Sequence, residues 1–357
     1  MTAILDTFRD RIRAATASGT PLRLRGSGTK DFYGQDPVGE ILDTRAHAGI
    51  VAYDPAELVI TARCGTPLAD VATALAEQRQ MLPFEPPAFG PAATFGGTVA
   101  AGLSGPRRQA VGALRDFVLG AVVMDGRGDI MHFGGQVMKN VAGYDVSRLL
   151  AGSLGTLGLV LEVSMKVLPL PVAHQTLRFE LDEAQALLQV NRWGGQPLPI
   201  TATAWTDNVL HVRLAGAAAA VSAAIGRLGG TPIDETEAHV LWSSLREQSH
   251  PWFAPALQGQ TLWRIAVPST APVLSLPGTQ LIEWGGGQRW WLTDAPAATV
   301  RAAAQAAGGH ATLFRNGNKA DGVFTPLSAP IAAIHTRLKD AFDPARIFNR
   351  GRMYPEF

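Results

Sequence analysis

Arg25-Gly26-Ser27-Gly28-Thr29-Lys30 alternates glycine with small polar residues directly after a strand-like run, Pro21–Arg25. Alternating glycines let successive backbone N–H groups turn toward one point, so the hexapeptide can cradle an anion such as a phosphate; a plain turn has the same composition. A Rossmann fingerprint would need a third glycine and a following helix, and a Walker A loop would need glycine five residues before Gly28. Neither pattern is present. A second segment runs Pro91-Ala92-Ala93-Thr94-Phe95-Gly96-Gly97-Thr98-Val99-Ala100-Ala101-Gly102, followed by Gly105 and Gly112-Ala113. So many small residues allow a planar or anionic group to lie against the backbone, or a helix to pack tightly on a strand. The third segment is Lys139-Asn140-Val141-Ala142-Gly143-Tyr144-Asp145, then Gly152-Ser153-Leu154-Gly155-Thr156-Leu157-Gly158-Leu159-Val160. Ala151–Gly155 approximates a nucleophile elbow, but that motif runs strand, turn, helix. Here a helix precedes and a strand follows, so Ser153 reads as a turn residue.

These segments sit among short strands. Glu40–Asp43, Leu58–Arg63, Phe117–Met124, Asp129–Phe133 and Leu157–Leu168 carry strand patterns, and Asp125-Gly126-Arg127-Gly128 reads as a hairpin turn. Helical spacing marks Met1–Ser18, Pro67–Gln80, Tyr144–Ala151 and, tolerant of glycine, Phe95–Leu103. Beyond Pro171 the texture changes. Strands at Gln175–Leu181, Thr201–Trp205, Val209–Leu214 and Leu262–Val267 alternate with helices at Glu183–Gln189, Ala217–Arg227, Glu237–Gln248 and Pro296–Ala307. A hairpin is expected around Gly285-Gly286-Gly287, and a last helix, Ile331–Ala341, leads to the tail. All eight tryptophans lie between Trp193 and Trp291. The second half reads as one antiparallel sheet with helices on one face.

The chain has 357 residues, 31 Lys+Arg and 30 Asp+Glu, a formal charge of +1. That balance carries no electrostatic footprint for nucleic acid or anionic lipid. The single cysteine, Cys64, excludes an intramolecular disulfide framework and a multi-cysteine metal or iron–sulfur site. No uninterrupted apolar segment of signal-peptide or membrane-spanning length is found, so a cytoplasmic location is expected.

Taken in order and spacing, the three segments resemble the FAD-binding domain of the vanillyl-alcohol-oxidase, or PCMH-type, flavoprotein family. The run K-N-V-A-G-Y-D…L-L-A-G-S-L-G-T-L-G-L-V-L-E is similar to the family's 2-hydroxy-acid dehydrogenase branch. So is the tail Phe342-Asp343-Pro344-Ala345-Arg346-Ile347-Phe348-Asn349-Arg350-Gly351-Arg352-Met353-Tyr354, with Arg350 where the branch has a second proline. The likeness covers about Pro21 to Val167 and Ala311 to the end. Leu262-Trp263-Arg264, Glu283-Trp284-Gly285-Gly286 and Gly308–Arg315 are similar to the flavin-binding subunits of that branch's multi-subunit oxidases.

The resemblance implies an α+β fold: a two-subdomain PCMH-type FAD-binding domain over 1–171, a smaller antiparallel α+β cap over 172–330, and a C-terminal segment, 331–357, returning to the FAD domain. It implies FAD contacts at Arg25, Gly26, Ser27, Gly28, Thr29, Lys30, Pro91, Thr94, Gly96, Gly97, Thr98, Ala101, Gly102, Gly105, Gly112, Ala113, Asp116, Gly158, Leu159, Val160, Asn349 and Arg352. Asp116 can equally be a strand-edge carboxylate, and Tyr144 and Asp145 either order a loop or wall the cofactor. Thr29 and Lys30 stand where some members tether flavin through histidine, so FAD is expected to be non-covalent.

Catalytic relatives of the branch resemble one another in a histidine–metal cluster. Here Arg315-Asn316-Gly317-Asn318-Lys319 occupies that stretch without histidine, so no metal is expected. A 2-hydroxy acid needs a cation for its carboxylate and a base for its hydroxyl. Arg264, Arg289 and Arg315 are candidates for the carboxylate. Arg352 is a weak catalytic candidate on a tail that, by the resemblance, returns to the flavin, where a cation stabilises the reduced ring. His132, His211 and His310 could supply the base, but each reads more readily as a surface or packed histidine, and none is convincing. The implied function is therefore that of an FAD-binding subunit in a glycolate (2-hydroxy acid) oxidising complex. A catalytic D-type flavoprotein subunit and an iron–sulfur subunit would be its partners, and through them it could sit peripherally at the cytoplasmic membrane. The alternatives are a free-standing FAD-linked D-lactate or other alcohol oxidoreductase, and a non-catalytic assembly subunit.

Overall fold

The computed structural model describes residues 2–135 and 145–357. Helix α1 (Thr2–Ser18) buries Phe8, Ile12 and Ala15, spaced for one helical face, against Leu22, Leu42, Leu161 and Phe348. β1 (Leu22–Arg25) and β2 (Glu40–Asp43) pair in parallel, with Leu22 opposite Glu40. β3 (Ile50–Asp54) and β4 (Val59–Arg63) form an antiparallel pair. α2 (Leu68–Glu77) follows, with Pro67 before its first turn and Asp70 within it. A two-residue β5 (Gln80–Met81) leads through a proline-rich loop to α3 (Phe95–Ala101) and a single turn, α4 (Arg108–Val111). β6 (Val118–Met124) and β7 (Ile130–Gly134) close a hairpin whose Asp125 Oδ1 accepts the N–H groups of Arg127 at 2.8 Å and Asp129 at 2.9 Å. After α5 (Val146–Leu149), β8 (Leu159–Lys166) enters the middle of a five-stranded antiparallel sheet ordered β3-β4-β8-β6-β7. Its inward residues pack on Leu68, Val71 and Leu75 of α2 and on Phe95 and Val99 of α3. β9 (Leu168–Pro169) pairs with β5.

β10 (Ala173–Glu180), α6 (Glu183–Gly194), β11 (Ile200–Thr206), β12 (Val209–Gly216), α7 (Ala218–Leu228) and β13 (Thr231–Pro232) begin the second half. α8 (Glu235–Glu247), α9 (Ala254–Leu257), β14 (Leu262–Ala266), β15 (Thr279–Glu283), β16 (Gln288–Leu292), α10 (Ala297–Ala306) and β17 (His310–Arg315) complete it. The strands form one antiparallel sheet ordered β13-β10-β12-β11-β15-β16-β14-β17. α6, α7 and α10 cover one face. The expectation of helices on one face only is corrected here: α8 and α9 pack on the other face through Ala238, Trp242, Leu245 and Ala256. That face also meets Tyr33, Leu103 and Leu154 of the first half, so the two halves share a core.

α11 (Ala329–Phe342) carries the chain back. Leu22 N–H donates to Ile347 O at 2.7 Å, and Asn349 N–H donates to Leu22 O at 2.9 Å, so the tail lies along β1. The exposed edge strand β3 carried no strand pattern in the sequence, because most of its side chains face solvent. Among the described residues, no helix is long and apolar enough to cross a membrane.

Candidate cofactor-binding site

A cleft opens where the loop after β1, the start of α3, Leu154 and the tail converge. Arg23, Arg25, Gly26, Ser27, Gly28, Thr29, Lys30 and Asp31 form one wall. The turn closes through Asp31 N–H to Gly28 O at 3.0 Å, with Gly28 at φ +81°. Arg23 and Arg25 both reach Asp31 Oδ2, Arg25 Nε at 2.8 Å. Lys30 Nζ donates to Ala88 O at 3.2 Å, and burial lowers its pKa to about 8 although Glu247 opposes the shift. Four cations (Arg23, Arg25, Lys30, Arg352) thus line the cleft against the single carboxylate of Asp31, which suits a diphosphate.

The opposite wall is the first turn of α3. Thr94 caps that helix, its Oγ1 accepting Gly97 N–H at 3.2 Å. A Cβ on Gly26 would run into Thr94 Oγ1, so close approach requires that glycine, whereas Gly28 is required by its left-handed backbone, the Arg25 guanidinium beside it being free to shift. Gly97 and Ala101 face the cleft; a Cβ on Gly97 would meet only Thr94 Oγ1, at 3.0 Å, and would otherwise project into open space.

The tail supplies the third side. Asn349 Oδ1 accepts Leu24 N–H at 2.8 Å and its Nδ2 donates to Leu154 O at 2.6 Å. Arg352 donates to the carbonyls of Gln35, Asp31 (2.8 Å) and Lys30 (3.4 Å). Burial brings its pKa down to about 10. Arg352 thereby clamps the first loop while lining the cleft.

The remaining sequence-expected positions lie elsewhere. Gly96 packs on the end of β4, where a Cβ would lie 2.8 Å from Cys64 Cα. Thr98 is buried and turns its hydroxyl to Thr94 O at 3.0 Å. Gly102, at φ +63°, lets Gly152 approach α3; a Cβ there would come within 2.7 Å of Gly152 N. Pro91 borders a groove between α2 and α8, Gly105 a second small cleft, and Gly112, Ala113 and Asp116 a third. Asp116 Oδ2 accepts Ala113 N–H at 2.8 Å, a local turn bond. Gly158, Leu159 and Val160 open β8 beside Val123 and Met124, away from the first cleft. Lys139 to Tyr144 lie outside the described residues. Asp145 caps α5.

Of the cationic substrate candidates, Arg289 is fully buried and spent on the carbonyls of Pro272 and Ala271, both at 2.6 Å, and of Gly286. Arg315 Nε donates to Gln248 Oε1 at 2.9 Å and its guanidinium stacks 3.6 Å over Phe32. Burial lowers its pKa to about 10. Arg264 Nη2 donates to the Tyr33 hydroxyl at 3.2 Å and lines the second cleft. His132 and His310 are exposed; burial, then Arg178, pushes half-buried His211 down to about 4. None lines either of these clefts.

Sequence reasoning missed Glu283. Its carboxyl is buried in the second cleft, where loss of solvent raises its pKa to about 7. No pattern within the strand marks it: β15 reads Thr279-Gln280-Leu281-Ile282-Glu283, polar at both ends. Among the described residues, no group of three or more His, Cys, Asp or Glu is placed to hold a metal ion.

Comparison with known proteins puts names beside this geometry. The FAD binding domain family model matches residues 5–134. Glycolate oxidase subunit GlcE of Escherichia coli (strain K12) is 50% identical over 347 residues, 97% of this chain and 96% of that protein. Glycolate oxidase subunit GlcD of Bacillus subtilis (strain 168) is 35% identical over 159 residues, 44% of this chain and 34% of its own. Among solved structures, an alkyldihydroxyacetonephosphate synthase shares the fold with a TM-score of 0.63 at 14% identity, covering 96% of this chain and 74% of that one.

Proposed function

The chain belongs to the family of glycolate oxidase subunit GlcE and carries that family's FAD-binding domain, and from that premise we propose that it is the FAD-holding subunit of a glycolate (2-hydroxy acid) oxidising complex. The D-type flavoprotein and an iron–sulfur protein are its partners in this reading. The observation that carries it is the first cleft, where four cations and a glycine loop face Gly97. Bound there, FAD supplies the two-electron acceptor that oxidation of a 2-hydroxy acid requires.

The chain's own residues have distinct tasks. Gly26 and Gly28 keep backbone N–H groups open to phosphate oxygens, and Gly97, whose own N–H is held by Thr94, leaves room for the phosphates beside them. Lys30 and Arg25 offset their charge. Asn349 and Arg352 hold the loop and Leu154 in register from the tail. Attachment is non-covalent, because Cys64, the only thiol, is buried and burial raises its pKa to about 12, and no histidine lines the cleft.

The test is the chain purified alone, then precipitated with trichloroacetic acid. It should arrive yellow and release all its flavin to the supernatant. A colourless chain that cannot be loaded with FAD overturns the reading; colour retained on the precipitate overturns non-covalent attachment.

A further inference from the structure

The second cleft, a small one, lies between the Leu103–Pro106 loop and the face of the large sheet. Glu283 pairs with Gln288 across β15 and β16, and Arg264 pairs with Trp290 across β14 and β16, so the four share one sheet face. Gln248, which ends α8, adds a wall.

Three groups in this cleft have unused hydrogen-bonding capacity. Glu283 takes both its bonds on Oε2, from Trp290 Nε1 at 2.6 Å and Gln288 Nε2 at 3.0 Å. Its Oε1 accepts none among the described residues. Gln248 is 2% exposed, and its Oε1 is occupied by Arg315 while its buried Nε2 donates to no group among the described residues. The arginine bond fixes which end of that amide is nitrogen. Arg264 spends Nη2 on Tyr33 and leaves Nε and Nη1 without a hydrogen bond among the described residues. A buried polar group left unpaired is costly, and a ligand that pairs it recovers the cost.

We propose that this cleft binds a small 2-hydroxy carboxylate, with Arg264 and Gln248 donating to its carboxylate and Glu283 Oε1 accepting its hydroxyl. The inference rests on the flavin-linked reading above for the substrate class alone. The donor set argues for that class. A plain carboxylate leaves Glu283 unpaired, a dicarboxylate sets a second negative charge beside it, and a neutral alcohol leaves Arg264 unused. Glu283 faces Glu85 from the proline-rich loop, Arg213 from β12, Arg246 from α8 and Arg264 from β14. In that setting its carboxyl, raised to about 7 by burial, is mostly ionised at pH 8 and can accept a hydrogen bond from a bound hydroxyl.

Calorimetry on the purified chain at pH 8, with flavin content measured on the same sample, separates the outcomes. Glycolate should bind at one site per chain, at least tenfold tighter than acetate, as expected for a hydrogen bond to a charged group. Glu283→Gln should bring glycolate and acetate within about threefold of each other, and Arg264→Met should weaken both about tenfold. Should either variant misfold, the indole N–H resonance of Trp290 in the unaltered chain, bonded to Glu283, must still move as glycolate is added. Equal binding of acetate and glycolate, full affinity in a folded Arg264→Met chain, or no shift at Trp290 overturns the inference. A chain that holds flavin yet ignores glycolate fails this inference only; a chain that cannot hold flavin fails the function above.

Discussion

Lys339 and Asp343 form a buried ion pair at 2.7 Å that fastens the tail to the cofactor cleft. Lys339 Nζ also donates to Thr156 O at 2.7 Å and Phe348 O at 2.9 Å, while Asp343 accepts Phe348 N–H at 2.8 Å. The pair therefore sets where Asn349 and Arg352 stand, although neither of its members touches the cleft.

Removing one partner leaves the other charge buried and alone. Lys339→Met is expected to cost about 3–5 kcal/mol, read by urea denaturation, and to lower flavin retention with it. A loss under about 1 kcal/mol would show that the pair is idle.

Arg352 and Asn349 separate clamping from charge. Asn349→Ala removes the bridge between Leu24 and Leu154 without changing net charge. We expect FAD affinity to fall about tenfold, matching the loss of about 1–2 kcal/mol in hydrogen bonds that hold the loop in place. Fluorescence titration of the apo chain with FAD checks it, and unchanged affinity would remove the tail from the site.

Glu283 ties stability to pH. Its pKa stands at about 7 in the folded chain against 4.5 ordinarily. Between those values the folded state keeps a proton that the unfolded state has lost, so its contribution to stability falls as pH rises from about 4.5 to 7 and stays low above. Glu283→Gln lacks this slope. Relative to the unaltered chain, the variant should gain up to about 3 kcal/mol between pH 4.5 and pH 8, measured by denaturant unfolding at both. A stability difference independent of pH would contradict the burial argument.

Much of the first cleft was legible in the sequence because its chemistry is local. Gly26, Gly28 and Lys30 lie within one turn, and the tail motif containing Asn349 and Arg352 is contiguous. Gly96 and Gly102 were not distinguishable from them. Each permits a close approach within the protein, to Cys64 and to Gly152, and glycine composition is the same whether the neighbour is protein or ligand. Gly158 illustrates the same limit: it stands close to Val123 where the chain enters a buried strand, and residue type alone does not tell such packing from a ligand contact. Glu283 was invisible for the opposite reason. Its environment comes from cross-strand neighbours, Gln288 and Trp290, which no spacing within β15 reveals.

The claim that the glycine-lined cleft holds the FAD diphosphate is tested most directly at Gly97. The backbone there is helical, not left-handed, so valine acts by volume alone, filling the space between Thr94 and the first loop. FAD binding to the apo chain, followed by flavin fluorescence, should fall at least a hundredfold in Gly97→Val, an order of about 3 kcal/mol, with the fold intact by circular dichroism. A folded Gly97→Val chain that binds FAD as tightly as the unaltered protein would contradict the account.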